Sequence, residues 1–231
     1  MARPTPSQAL AVGIAVLIVV GYPMLIGDAL RRFEPRAIAW AALAFTAATT
    51  AVRALFARPS LQGFLIQYGA GIALLLLVVA TNDRLGLLLV PALVNLYLAL
   101  GTGWTLTTDQ SLVERVAAFI QPHIPDFTRP YCRKVTALWA LFFGANVIGI
   151  AALAFAGEEA SWRLYTSRLY FLVITTLTVV EFLVRKIHFR NYSSGVVDRM
   201  FSTLFPAKNT AQGRQSQAYL QKMRDLGLKT D

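Results

Sequence analysis

The residues of this sequence whose types could do chemistry are the ionisable and amide side chains set inside apolar stretches. Glu181 stands in the apolar run 164–184, four residues before Arg185 and therefore on the same face of a helix. A carboxylate there has two readings. It forms an ion pair near a helix end, or it is a buried group that handles a proton or a headgroup, since charge within a membrane is costly and tends to have a purpose. Gln67, Asn95 and Asn146 fall in other apolar runs. Amides in such places hydrogen-bond between helices and hold a bundle together, at roughly 0.6–2 kcal/mol each. A carrier would need Glu181, Asn146 and Asn95 to face a common cavity. His123 and His188 are far apart and belong to no His-x-x-x-His or His-Glu-x-x-His pattern, so no metal site is expected. There is no Gly-rich phosphate loop after a strand, no Gly-x-Ser-x-Gly elbow and no Cys-x-x-Cys, and accordingly no catalytic residue and no cofactor is expected. Cys132 is the single cysteine; it can form no disulfide within one chain and reads as a small apolar filler.

The elements that must position these groups follow from hydropathy. Of 231 residues, 56% are hydrophobic and only 15% charged, with a mean hydropathy of +0.53. The charges lie in seams between long apolar blocks, whereas a soluble domain of this size needs more charge to cover its surface. Crossing a bilayer takes about 20 mostly apolar residues in a helix that satisfies its own backbone. The expected architecture is therefore an all-α polytopic transmembrane bundle of about six spans: 9–26, 37–55, 61–80, 85–106, 135–156 and 164–184. Arg3 and the run from Ala9 resemble a secretory signal, but 27–32 offers no small-x-small cleavage site, so this run is expected as a retained first span. Thr46, Thr49 and Thr50 give the second span a small-residue surface suited to helix contact. Asn82-Asp83-Arg84 is a turn signal, and Pro91 is expected to kink the fourth span. Trp104, Trp139, Trp162, Tyr131, Tyr165 and Tyr170 gather near span ends as an aromatic belt.

Basic residues set the orientation. With alternate crossings, one side collects Arg3, Arg53, Arg58, Arg115, Arg129, Arg133, Lys134 and the basic tail, 16 residues against 6 on the other. By the positive-inside rule both termini are expected in the cytoplasm. Arg31, Arg32 and Arg36 dissent and argue for a different pairing of the first two spans. The net charge of +10 follows this distribution and does not mark a polar nucleic-acid-binding domain, so membrane lipids are the expected partners and nucleic acid is not.

Two short amphipathic pieces are expected on the cytoplasmic side. Residues 111–121 open on Ser111-Leu112-Val113-Glu114, the form of a capping box, and carry an apolar stripe of Leu112, Val113, Val116, Phe119 and Ile120. This helix lies on the bilayer or the spans, or else docks a partner protein. Within a basic tail, 188–231, residues 195–205 place Val196, Val197, Met200, Phe201, Leu204 and Phe205 on one stripe. Asp198, Arg199, Ser202 and Thr203 form the other stripe, the pattern of a helix in an anionic headgroup layer. The residues expected to touch headgroups or partners are Glu114, Arg115, Arg133, Lys134, Arg185, Lys186, Arg190, Phe201 and Phe205. A weak helix is expected at 218–228.

Leu112-Val113-Glu114-Arg115, the run 133–143 from Arg133-Lys134 through Trp139 to Phe143, Trp162 after a short turn, and Asn82-Asp83 resemble the intracellular septation protein A family of small bacterial inner-membrane proteins. The resemblance runs in order over residues 9–186, which would form the transmembrane domain (1–187). The ending Glu181 to Lys186, with Phe189-Arg190-Asn191-Tyr192, Asp198-Arg199 and Leu204-Phe205-Pro206, looks closer to a branch whose genes accompany aryl-polyene or lipid-synthesis enzymes. The septation-like proteins lack this tail. What the resemblance implies is an envelope-associated, non-catalytic membrane protein; the leading expectation is an accessory or scaffold protein of the cell envelope, with envelope or lipid-synthesis proteins as partners. The rival readings are a small transporter or flippase-like carrier and, lacking a visible nucleophile–base pair, a membrane enzyme acting on lipid-linked acyl groups.

Overall fold

A computed structural model describes residue 22 and residues 25–56, 61–120, 125–190, 192 and 196–225. Among these residues every regular element is helical. The order is α1 (25–32), α2 (Pro35–Phe56), α3 (Leu61–Thr81), α4 (Leu85–Trp104), α5 (Leu112–Ile120), α6 (Arg129–Phe155), α7 (Glu159–Leu164), α8 (Tyr170–Phe189), α9 (Val196–Leu204) and α10 (Ala211–Asp225). Three stretches are long and apolar enough to cross a membrane: Leu85–Thr107, Asp126–Phe155 and Glu159–Phe189. They correspond to the expected fourth, fifth and sixth spans. The runs expected as the second and third spans form the helices α2 and α3, which are not among these three. Most of the first lies outside the described residues, as do His123 and the side chains of Arg53 and Gln67.

The chain divides into two compact units, one of 102–139 with 172–231 and the other of 2–101 with 140–171. The second unit has its core in Ile26, Ala39, Val78, Leu87, Leu88, Ala92, Ile150, Ala154 and Trp162. Its sharpest turn is the one signalled by Asn82-Asp83-Arg84. Asn82 takes a left-handed conformation (φ 53°), which its short polar side chain tolerates, and its amide donates back to the Val78 carbonyl to end α3. The Asn82 Oδ1 then accepts from the Arg36 amide at 2.9 Å, so one residue ends α3 with its backbone and caps the start of α2 with its side chain. Asp83 Oδ1 accepts from the Leu85 amide at 3.0 Å and opens α4. A Cβ at Gly86 would overlap Val78 Cγ2, so any larger residue there forces Val78 to move. Arg36, one of the three dissenting arginines, donates its Nε to the Val79 carbonyl at 2.9 Å.

Pro91 lies inside α4 and has no N–H to give the carbonyl of Leu87 one turn earlier. The Tyr22 hydroxyl donates to that carbonyl at 2.9 Å, and the Trp162 indole N–H donates to the neighbouring Leu88 carbonyl at 3.1 Å. Trp162 is completely buried (0% exposed), which corrects its expected place in an aromatic belt. The reason is physical: backbone carbonyls beside a proline in an apolar helix need donors from outside it.

The first unit joins the end of α4, α5, the start of α6, nearly all of α8 and the tail helices. The observed α6 begins at Arg129, six residues before the expected start of that span, with Pro130 in its first turn where a missing N–H costs nothing. The tail is folded back by backbone contacts. Arg190 donates to the Pro206 carbonyl at 2.6 Å, and the Tyr192 hydroxyl donates to the Phe205 carbonyl at 2.8 Å.

Candidate functional site: two fastened amphipathic helices

In the first unit the structure gathers most of the residues singled out for headgroup or partner contact, and it puts many of their charges to internal use. α5 shows how. Its first amides are capped, but not by the expected capping box. The Leu112 amide donates to Thr105 Oγ1 at 2.9 Å and the Val113 amide to Thr136 Oγ1 at 3.2 Å. The Ser111 hydroxyl, fully buried, has no hydrogen-bond partner among the described residues. This corrects the Ser111–Glu114 box: two threonines from flanking segments take the orphan amides, and Glu114 is turned to another use. Its side chain is 4% exposed and pairs through Oε1 with Arg129 Nε at 3.2 Å, while Oε2 has no partner among the described residues. Arg129 in turn reaches Asp126 at 3.1 Å.

Arg133 donates to the carbonyls of Leu106 and Thr108, closing the turn that follows α4. Arg115 holds the same loop through the Gln110 carbonyl at 3.1 Å and Thr108 Oγ1 at 3.0 Å. Lys134 is exposed. Cys132 is buried, as a filler should be. Glu181 pairs with Arg185 at 3.5 Å and accepts from the Tyr131 hydroxyl at 3.4 Å. The Tyr131 ring stacks on His188 and meets Phe189 edge-on.

α9 departs most from expectation. Lys186 Nζ meets Asp198 Oδ1 at 2.5 Å, and the Asp198 side chain is 8% exposed. At about 100° per residue, this sets Asp198, Phe201 and Phe205 on one face; Asp198 and Phe201 are buried and Phe205 is half-buried. Arg199, Met200, Thr203 and Leu204 share the other face and are exposed, Met200 at 56% and Leu204 at 64%. The expected division into an apolar and a polar stripe is therefore corrected. The helix is rolled by roughly a quarter turn, because a buried carboxylate must meet its cation while two aliphatic side chains can be left outward at a lower cost.

α10 packs by a close approach of Gly213 to the Ala207 carbonyl, where a Cβ would clash, and Ser216 is buried. Outside the long apolar stretches, burial raises the Tyr192 hydroxyl above its ordinary value; Arg190 nearby lowers it and Asp198 raises it. Burial likewise raises Tyr219, with Asp126 adding to the effect.

The amides of the apolar stretches, Asn95 and Asn146, lie in the other unit. Asn146 accepts from the Tyr165 hydroxyl at 2.8 Å and donates to the Phe142 carbonyl at 2.6 Å, the interhelical bond expected of it. Asn95 donates to the Pro91 carbonyl at 2.9 Å within its own helix. A π-helical turn, Tyr165–Leu169, separates α7 from α8 and carries Tyr165, a feature no sequence signal announced. Among the described residues no group of three His, Cys, Asp or Glu side chains could hold a metal ion.

No family model, no curated protein and no solved structure matches this chain.

Proposed function

We propose that this chain is a multi-pass protein of a bacterial inner membrane, with six spans and both termini in the cytoplasm. On this reading it acts without catalysis as a scaffold for cell-envelope or lipid/polyene assembly, holding partner proteins at the cytoplasmic leaflet. The observation that carries the reading is the build of α5 and α9. Each is a short helix fixed through a buried acid, Glu114 to Arg129 and Asp198 to Lys186, with apolar side chains such as Val116, Met200 and Leu204 left exposed. A helix that turns its carboxylate inward and its aliphatic residues outward suits a surface that receives an apolar partner or lipid. The three long apolar helices, the basic bias of one set of seams and the resemblance to the septation family support the membrane placement.

The carrier reading gains less. Glu181 is engaged by Tyr131 and Arg185, and Asn146 by Tyr165, bonds that fasten helices. The test of the scaffold is a pull-down of the tagged full chain from native membranes in mild detergent. Recovery of envelope or lipid-synthesis proteins, lost on Val116→Asp, is the expected result; recovery of none overturns the proposal.

A further inference from the structure

The tail carries its charge unevenly. From Arg185 to Arg224 the sequence holds Arg185, Lys186, Arg190, Arg199, Lys208, Arg214, Lys222 and Arg224, and a single acid, Asp198. That acid is buried against Lys186. Arg199, Lys208, Arg214 and Lys222 are exposed, and none has an acid among the ion pairs of the described residues. The same rolled α9 that hides the one negative group turns Met200 and Leu204 outward beside Arg199. On the helix these three residues share one side, with Thr203 between them.

We infer that the outward face of α9, with Lys208 and Arg214 following it, binds the anionic phospholipid headgroups of the membrane in which the chain sits, Met200 and Leu204 entering the acyl boundary and Arg199 meeting phosphate. This rests on the proposed membrane-surface placement of the tail and adds the lipid chemistry that holds it there. Two kinds of force converge on the face. Removing two aliphatic side chains from water favours any apolar layer. The uncompensated cations favour a negative one, by a factor of roughly five for each basic residue near the surface. A nucleic acid would use the cations and leave Met200 and Leu204 in water, so the exposed aliphatic pair favours lipid over it.

The test uses the full chain carrying Met200→Cys, labelled with an environment-sensitive fluorophore and reconstituted into nanodiscs. One set contains phosphatidylcholine alone and the other phosphatidylcholine with phosphatidylglycerol; the unsubstituted chain, whose Cys132 is buried, gives the labelling background. The expected result is a blue-shifted emission, quenched by brominated acyl chains, in the phosphatidylglycerol discs. The inserted-to-free ratio should fall roughly five-fold for each of Arg199→Gln and Lys208→Gln. Equal emission in both discs, or none shifted in either, overturns the inference, as does a shift that appears only when RNA is added. A chain that recovers its protein partners yet shows no dependence on phosphatidylglycerol loses this inference and keeps the scaffold; the reverse result keeps the lipid contact and removes the scaffold.

Discussion

The indole N–H of Trp162 donates to the backbone carbonyl of Leu88 at 3.1 Å, three residues before a proline in the middle of an apolar helix. Together with the Tyr22 hydroxyl on Leu87, it supplies donors where Pro91 takes one away. An unpaired carbonyl in an apolar setting costs on the order of 1–3 kcal/mol. Trp162→Phe keeps most of the ring and loses the N–H, so it should lower stability by about that amount, read as a lower midpoint of thermal unfolding in detergent. The pair with Tyr22 offers a sharper check. Tyr22→Phe should cost about 1 kcal/mol in the native background and clearly less when Pro91→Ala restores a backbone donor for Leu87.

Arg129 and Glu114 should respond asymmetrically. Arg129→Ala leaves a buried carboxylate without its cation, whereas Glu114→Gln removes the charge and keeps the volume. Because Arg129 is about half exposed, water offsets part of the loss, and about 1–2 kcal/mol is expected for Arg129→Ala, more than for Glu114→Gln. Chemical unfolding of the two variants ranks them; a larger loss for Glu114→Gln would contradict the burial of that carboxylate.

Lys186 and Asp198 fasten α9 to α8. Lys186→Met should release the tail, read as faster proteolysis after Arg199, and adding Asp198→Leu should restore much of the protection, since two apolar groups can replace a buried pair. Protection unchanged in Lys186→Met would show that the pair does not hold the helix.

Gly86→Ala should be among the more destabilising single-methyl changes in the chain, by about 1–3 kcal/mol, because the added carbon collides with Val78 of the neighbouring helix. Gly144→Ala, where nothing lies within 4 Å of the added carbon, serves as the control and should leave the unfolding midpoint unchanged or raise it.

The tail should also loosen in strong alkali. Tyr192 donates its proton to the Phe205 carbonyl, and its pKa is raised in the folded chain, mainly by burial. A raised folded-state value means that this contribution is complete below the unfolded value near 10 and is lost as pH climbs through the folded one. Tyrosinate absorbance followed against pH should show a late-titrating tyrosine that Tyr192→Phe removes.

Much of this architecture was legible from the order of residues. Long apolar blocks gave α4, α6 and α8, since only a helix can satisfy a backbone there. Asn82-Asp83 gave the hairpin, and Asn146 its bond to another helix. The misreadings share a cause. Ser111 with Glu114, and the two stripes of α9, were judged from local spacing alone, yet the partners that decided them, Thr105, Thr136 and Lys186, come from other segments. An amphipathic pattern shows that a helix has two faces, and a distant lysine can choose which one is turned inward. From the sequence Trp162 reads as an interfacial ring for the same reason: the carbonyl that claims it lies 74 residues away.

The account stands most directly on α5 and α9 facing the same compartment, with α6 and α8 crossing the membrane between them. Single cysteines at Val116 and at the exposed Gln212 just beyond α9, probed with a membrane-impermeant maleimide in right-side-out and inverted inner-membrane vesicles, report this in one experiment. Labelling of both positions in inverted vesicles alone is the result expected. Labelling of the two positions from opposite sides would contradict it.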